Sequence, residues 1–174
     1  MVCCVSRQKK ARPFVAVGDI GPDTDWSDTL KGIDVVVHSA ARVHVKDEAD
    51  RSSLSEFRRV NAEGTANLAR QAAGAGVRRL VFISSVKVNG AFTEPGIPFV
   101  STDVPDPRGP YAISKFEAEK ELHRIEKDTG LEVVVIRPPL VYGPGVKANF
   151  FRLMKLVQKG VPLPFPMIRN KRSL

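Results

Sequence analysis

Five short apolar runs alternate with helical patterns along this chain of 174 residues. The runs are rich in Val and Ile and apolar on both faces, which is typical of buried strands in a parallel sheet. They cover Met1–Ser6, Phe14–Gly18, Asp34–His38, Leu80–Ser85 and Glu132–Ile136. Strands that alternate with helices predict the α/β class, with a doubly wound parallel sheet.

Helical spacing of apolar residues, ended by Gly or preceded by Pro, predicts four helices. They cover Trp26–Lys31, Leu54–Ala72, Tyr111–Thr129 and Asn149–Lys159. Two Pro-rich stretches, Glu94–Pro110 and Pro138–Pro144, follow predicted strands. Sheets of this class bind ligands beyond the carboxyl ends of their strands, so we interpret both stretches as active-site loops.

A Tyr-x-x-x-Lys pair, Tyr111 and Lys115, opens the third predicted helix. Positions i and i+4 share a helix face, so both side chains are expected to point into one site. A nearby cation favours the phenolate, so we expect Lys115 to lower the pKa of Tyr111 from its usual value of ~10. Ser85, at the end of the fourth predicted strand, is placed to hydrogen-bond a substrate oxygen that gains or loses a proton. These residue types suit the oxidation or reduction of an alcohol.

Composition and charge exclude several classes of protein. The 43% share of hydrophobic residues is ordinary for a globular domain, and the apolar runs are too short to span a membrane. The net charge of +8 comes without zinc-finger spacing or an aromatic RNA-binding motif, so we expect no nucleic-acid partner. Cys3 and Cys4 lie in an apolar run that lacks the pattern of a secretion signal, which favours buried thiols and a cytoplasmic location.

Six motifs in a fixed order resemble those of the extended short-chain dehydrogenase/reductase family, in its NAD-dependent epimerase/dehydratase branch. They are Gly18-Asp19-Ile20, Val35 to Ala41, Asn61 to Thr65, Phe82 to Ser85, Tyr111-x-x-x-Lys115 and Arg137 to Pro144. Each motif is weak alone, but together they cover nearly the whole chain. The resemblance implies a Rossmann-like fold, NAD or NADP as cofactor, a nucleotide-sugar substrate and, by family tendency, a homodimer.

The resemblance also implies roles for individual residues. Tyr111 is the implied general acid/base, Lys115 holds the nicotinamide ribose, and Ser85 binds the reacting oxygen. The implied cofactor contacts are Arg7, Asp19, Ile20, Ser39, Ala40, Ala41, Asn61, Ser84, Tyr111, Lys115 and Pro138. The implied substrate contacts are Ser85, Lys87, Tyr111, Asn149 and Phe150, and no metal site is expected.

Several of these residues have an equally simple structural interpretation. Asp19 suits a turn, Asn61 suits bonding to neighbouring backbone, Lys87 suits a solvated loop and Asn149 suits a helix cap. His38, at a strand end, is interpreted as a packed, hydrogen-bonded histidine without a chemical role.

The two residues that follow Ser85 reduce the number of possible reactions. Relatives that dehydrate sugars place an acid pair there, whereas this chain has Val86 and Lys87. Elimination of water needs a general acid and base, so dehydration is excluded. A UDP-hexose 4-epimerase in surface-polysaccharide synthesis and a 4-keto-6-deoxy sugar nucleotide reductase remain, and the resemblance favours the epimerase.

The alternatives differ in the cofactor they need. Arg7 stands where NAD enzymes carry an acid, so it suits the 2′-phosphate of NADP and hence a reductase. An alternative of another class is a non-catalytic NAD(P)-binding module or an inactive fragment.

The glycine-rich phosphate loop of the family has no counterpart in this sequence. The resemblance begins at the family's second strand, so we expect an internal piece of a longer enzyme that lacks the first strand and most of the substrate domain, and that binds NAD(P) poorly. Without the central strand, the first two predicted strands are expected to lose their connection to Asp34–His38. We divide the chain into a partial dinucleotide-binding domain, 1–146, and the start of a substrate-binding region, 147–174.

Overall fold

The structure, a computed structural model, describes residues 2–5, 15–43, 51–141, 143 and 148–160. The chain divides into two compact units, Met1–Pro138 and Pro139–Leu174. The boundary predicted after residue 146 stays a prediction. Within the described residues, no helix combines the length and the apolar character needed to cross a membrane.

The described elements alternate between strands and helices. In chain order they are β1 (Val2–Val5), α1 (Ser27–Leu30), β2 (Val35–His38), α2 (Arg51–Phe57), α3 (Gly64–Gly74), β3 (Arg79–Ile83), α4 (Pro110–Thr129), β4 (Glu132–Ile136) and α5 (Ala148–Gln158). A π-helical segment, Arg58–Glu63, joins α2 to α3, and one 3₁₀ turn, Val86–Val88, follows β3. Helix α5 lies in the second unit and the other elements lie in the first.

Most predicted elements are confirmed, with small shifts at their ends. The four predicted helices are present, and the third begins at Pro110, whose missing N–H costs nothing in a first turn. The same helix ends where Gly130 takes a left-handed conformation with φ of 77° and donates its N–H to the Glu126 carbonyl. Helix α4, which carries Tyr111 and Lys115, therefore has its predicted limits to within one residue.

The parallel core of the sheet consists of β2, β3 and β4 in that order. Val36 pairs with Leu80, and Leu80 pairs with Val133, so the carboxyl ends of the three strands meet at one edge. This arrangement confirms the predicted α/β fold and brings the residues that follow β2, β3 and β4 together.

Two predicted strands need correction. The first is a strand, but β1 runs antiparallel to β2, with Cys3 opposite Val37, so the expected loss of connection to β2 is wrong. The predicted strand Phe14–Gly18 is also wrong: residues 15–18 are not extended in any sheet, and Phe14 lies outside the described residues. Because β1 and β3 pair with the two sides of β2, residues 15–18 cannot pair with that strand.

The hydrophobic core lies on one face of the sheet. Residues of α1, α3 and α4 pack there against alternate strand residues, among them Val36, Leu80 and Phe82, which are fully buried. On the other face, Val134 and Ile136 keep 40% and 44% of their surface exposed. The prediction that the strands are buried on both faces is therefore wrong for β4, where burial alternates with the pleat.

Gly64 allows α3 to approach the loop before α1 closely. A Cβ at this position would lie 3.0 Å from Ile20 Cγ2 and 3.2 Å from the Gly21 backbone. We expect Gly64→Ala to lower the free energy of unfolding by about 1–3 kcal/mol, because the Gly21 backbone must shift. Gly74→Ala is the matched control in the same helix, since nothing lies within 4 Å of its Cβ position, and it should be neutral or stabilising. Equal urea midpoints for the two variants would contradict the close-approach argument.

Candidate active site

Ser85 and Tyr111 are brought together by the end of β3 and the start of α4. Ser85 Oγ caps the 3₁₀ turn by accepting a hydrogen bond from Lys87 N at 3.3 Å. Tyr111, in the first turn of α4, is half-buried and meets the Phe57 ring edge-on at 6.3 Å between centroids. Ser85 lies near enough to the Tyr111 hydroxyl to favour the phenolate form. Two of the three predicted catalytic groups are thus neighbours.

The electrostatics of Tyr111 differ from the prediction. Burial raises the pKa of Tyr111 above its usual value, and the interaction with Ser85 acts in the opposite direction. The predicted lowering of this pKa by Lys115 is therefore wrong. The cause is the direction of the Lys115 side chain, whose Nζ lies 3.8 Å from the Phe82 ring centroid. At neutral pH the phenol of Tyr111 is protonated.

Lys115 is a buried amine. Its side chain is 1% exposed, and burial lowers its pKa to about 7, although the charge of Glu119 acts the other way. The Phe82 ring supplies a face for the ammonium, an attraction of order 2 kcal/mol in a desolvated setting. The amine is therefore poised between its two charge states near neutral pH.

His38 occupies the neighbouring position at the end of β2. Its ring stacks on Phe82 at 5.7 Å, and its Nε2 lies 2.9 Å from Thr65 Oγ1. Burial first, and the charge of Lys115 second, lower the pKa of His38 to about 3. The interpretation of His38 as a packed, hydrogen-bonded histidine is confirmed.

Asn61 lies in the π-helical segment, and its side chain binds the backbone that follows β2. Its Oδ1 accepts from Arg42 N at 2.8 Å, and its Nδ2 donates to the Arg42 carbonyl at 3.1 Å. Nδ2 also donates to Ser114 Oγ at 3.0 Å, and Ser114 Oγ donates to the Tyr111 carbonyl at 2.8 Å. Asn61 therefore connects the Ser39–Ala41 segment to the first turn of α4, as π-helical turns near functional sites commonly do.

Asp19 and Ile20 lie in a loop that is fastened to α3. Thr24 Oγ1 donates to the Asp19 carbonyl and accepts from Gly21 N, both at 2.8 Å. Asn67 and Gln71 each donate a side-chain N–H to the Thr24 carbonyl at 2.8 Å. The side chain of Asp19 is exposed, so the fastened loop leaves its carboxylate accessible to a ligand.

The small residues after β2 leave room at the edge of the sheet. Ser39 is exposed, and Ala40 and Ala41 are half-buried. Within the described part of the chain, two buried nitrogens close by have no hydrogen-bond partner, His38 Nδ1 and Arg42 Nε. Arg42 was not predicted as a site residue, and a cationic side chain beside small residues at a strand end was the signal available for it.

The remaining predicted site residues are placed as follows. Lys87 is exposed, with Nζ 5.9 Å from the Tyr111 ring centroid, and Pro138 accepts from Val86 N at 3.1 Å through its carbonyl. Ser84 is 4% exposed, and its hydroxyl donates to the buried carboxylate of Glu119. Arg7 lies outside the described residues. Asn149 and Phe150 lie in the first turn of α5, and at these two positions only the backbone is described.

Comparison with known proteins identifies relatives for most of the chain. A model of the NAD dependent epimerase/dehydratase family matches residues 2–167. A UDP-glucose 4-epimerase of Vibrio cholerae is 55% identical over 159 residues, which cover 91% of this chain and 48% of that protein. A GDP-6-deoxy-D-mannose reductase of Pseudomonas aeruginosa is 32% identical, over 78% of this chain and 41% of the reductase.

A solved structure gives the same result for the fold. The UDP-glucuronic acid 4-epimerase of Bacillus cereus, in complex with NAD, superposes with a TM-score of 0.68 at 26% identity, over 81% of this chain and 44% of that one. This chain thus spans about half the length, or less, of the relatives it matches.

Proposed function

Because this chain belongs to the NAD dependent epimerase/dehydratase family, we propose that it forms the proton-transfer part of a nucleotide-sugar 4-epimerase of the UDP-hexose type, acting in surface-polysaccharide synthesis. The observation that carries the proposal is the proximity of Ser85 to the Tyr111 hydroxyl at the end of β3, where Ser85 favours the phenolate. Two neighbouring hydroxyls can bind a third oxygen between them, and one of them can pass a proton to or from it. The 55% identity to a UDP-glucose 4-epimerase supports the substrate class.

The residues present fit the nicotinamide ribose end of NAD(P). Lys115 and Tyr111 offer an amine and a hydroxyl on one helix, and the small residues of Ser39–Ala41 leave room for a close backbone approach. Arg42, whose buried Nε has no partner within the described residues, suits a phosphate oxygen. Asp19, Ile20, Asn61, Ser84 and Pro138 complete the proposed cofactor contacts. When bound, NAD(P) supplies hydride transfer at the sugar C4.

This chain's own residues handle the proton that accompanies that hydride. In the oxidative half, Tyr111 accepts the proton of the C4 hydroxyl while Ser85 donates a hydrogen bond to the same oxygen. In the reductive half, Tyr111 returns the proton to the C4 oxygen. The interaction with Ser85 favours the phenolate needed in the first half.

Lys87 is proposed to meet the anionic substrate. Its exposed ammonium stands 5.9 Å from the Tyr111 ring centroid, where a diphosphate or a uronate carboxylate would find a counter-charge. Together with Val86 it occupies the turn after Ser85, and neither residue can act as the carboxylic acid or carboxylate that elimination of water requires. Asn149 and Phe150 are proposed as further substrate contacts.

A 4-keto sugar nucleotide reductase is the second candidate, and one observation favours it. Burial keeps the phenol of Tyr111 protonated, which suits a residue that donates a proton to a keto oxygen. The relative from Pseudomonas aeruginosa supports this candidate, and Arg7 would then accept the 2′-phosphate of NADP.

We also propose a cytoplasmic location and a homodimer formed through α3 and α4. A groove between these helices is lined by small residues and by charges of both signs, among them Ala62, Ala66, Arg58 and Glu117. Arg58 and Glu117 form a bidentate ion pair at 2.6 to 3.1 Å on this surface.

The two reactions are separated by their use of cofactor. We expect a chimaera, in which this chain replaces the matched 159 residues of the epimerase relative, to interconvert UDP-glucose and UDP-galactose without net NAD(P)H consumption. Stoichiometric oxidation of NADPH with a 4-keto-6-deoxy sugar nucleotide would instead establish the reductase. A folded chimaera that does neither would favour a non-catalytic module, and the parent epimerase is the control.

A further inference from the structure

Glu119 is a buried carboxylate that the proposed chemistry does not use. It lies one helical turn beyond Lys115 on α4 and is 3% exposed. Ser84 Oγ donates to its Oε1 at 2.5 Å, and Arg137 donates to both oxygens, from Nε at 3.0 Å and from Nη2 at 2.6 Å. Three elements, the end of β3, helix α4 and the end of β4, therefore meet on one carboxylate.

The same network continues to the loop that leads into α4. Arg137 Nη1 donates to Asn89 Oδ1 at 3.1 Å, and Asn89 Nδ2 donates to the Val100 carbonyl at 3.1 Å. The backbone carbonyl of Asn89 accepts from Asp106 N at 3.3 Å. The loop that precedes Tyr111 is thus tied to the same arginine that holds Glu119.

The energetics suggest a role other than stability. Burying a carboxylate costs several kcal/mol, and a buried ion pair is often no more stabilising than an apolar pair of similar size. What such a pair does impose is geometry, since Arg and carboxylate bind as two parallel forks. Each partner also adjoins a proposed site residue: Ser84 precedes Ser85, Arg137 precedes Pro138, and Glu119 follows Lys115.

We propose that Glu119 is a positioning residue, whose hydrogen bonds to Ser84 and Arg137 hold the end of β3 against α4 and so set the separation between the Ser85 and Tyr111 hydroxyls. This proposal rests on the proposed function, because there the Ser85 and Tyr111 pair transfers the proton. Its physical content, the coupling between Glu119 and the interaction of Ser85 with Tyr111, is measurable without substrate or cofactor.

The chain offers a clean probe because it contains two tyrosines, Tyr111 and Tyr142. In a Tyr142→Phe background, the ¹³Cζ shift of labelled tyrosine reports the pKa of Tyr111 alone. Ser85→Ala should raise this pKa, because Ser85 favours the phenolate. With Glu119→Gln in place, the Ser85→Ala change should have no effect, because the two hydroxyls are already separated.

A matched control and a second variant keep the test decisive. Glu117→Gln removes the exposed ion pair with Arg58 on the same helix and should preserve the full Ser85→Ala shift. If Glu119→Gln does not fold, Glu119→Gln with Arg137→Met leaves no unpaired buried charge, and the same titration applies. The Ser85→Ala shift should also vanish in that double variant.

A full Ser85→Ala shift in the Glu119 variants, accompanied by lower stability, would overturn the proposal and leave Glu119 with a purely structural role. Lys87, whose Nζ lies near the Tyr111 ring, is unchanged in all variants and contributes equally to each titration. An inactive chimaera with intact coupling would contradict the proposed function alone.

Discussion

Tyr111→Phe is expected to lower kcat of the chimaera by about 10²–10⁴-fold, the usual contribution of a positioned general acid or base. The ring itself should remain in place, because its edge-on contact with Phe57 does not involve the hydroxyl. Substrate binding should therefore change by only a few-fold. Steady-state kinetics with UDP-glucose measure kcat and KM, and single-turnover measurements show whether the chemical step is the one that slows.

The control for this prediction is an exposed side chain on the same helix. Lys127→Met should leave kcat within a few-fold of the parent value. Ser85→Ala should fall between the two, because it removes a hydrogen-bond donor and leaves the proton carrier. A near-normal rate for Tyr111→Phe would remove Tyr111 as the general acid/base and with it the proposed mechanism.

The limits of α4, the helix that carries Tyr111, could be predicted from sequence, whereas the direction of the Lys115 side chain could not. Pro110 and Gly130 bound α4 for local reasons, and i,i+4 spacing puts Tyr111 and Lys115 on one face. Spacing does not determine the rotamer of a four-carbon side chain. Lys115 turns toward the Phe82 ring, a residue 33 positions away in sequence whose proximity only the fold creates.

Strand partners and helix irregularities were missed for a similar reason. The apolar run at Val2–Val5 predicts a strand, yet composition carries no information on whether its neighbour is parallel or antiparallel. The π-helical segment that carries Asn61 has ordinary helical spacing in sequence, and the backbone of Arg42 that Asn61 binds lies 19 residues away in the chain. Glu119 and Arg137 were each visible as charged residues, but their pairing depends on the crossover from α4 to β4.

The free energy of unfolding is expected to rise with pH between about 7 and 10.5, by up to ~1.4 kcal/mol per pH unit from Lys115 alone. The amine titrates at 10.5 when exposed in the unfolded chain and at about 7 when buried. As pH falls through this window, the unfolded chain takes up a proton that the folded chain does not, so unfolding becomes easier. Below pH 7 both states carry the proton, and the contribution of Lys115 is constant.

His38 is expected to make the free energy of unfolding depend on pH in the acid range as well. Its pKa is 6.5 in the unfolded chain and about 3 in the fold, so the unfolded state alone takes up a proton between these values. The free energy of unfolding should therefore fall as pH drops from 6.5 toward 3, again by up to ~1.4 kcal/mol per unit. Paired carboxylates also lose their stabilising contribution when they are protonated in this pH range, so a variant is needed to isolate the contribution of His38.

Urea unfolding at a series of pH values, followed by circular dichroism, measures both slopes. Lys115→Met should flatten the curve between pH 7 and 10.5, and His38→Gln should reduce the slope below 6.5. Lys120→Met is the matched control on α4 for Lys115→Met, since its side chain is exposed. A curve for Lys115→Met that keeps the parent slope would show that the amine is not desolvated in the fold.

The Lys115→Met variant also tests why the amine is retained. An apolar side chain of similar size against Phe82 should make the protein more stable at neutral pH, because no charge is buried. The same variant should lose activity, since the amine is the proposed contact to the nicotinamide ribose. A protein that gains stability while losing turnover would show that Lys115 is kept for chemistry at a cost to the fold.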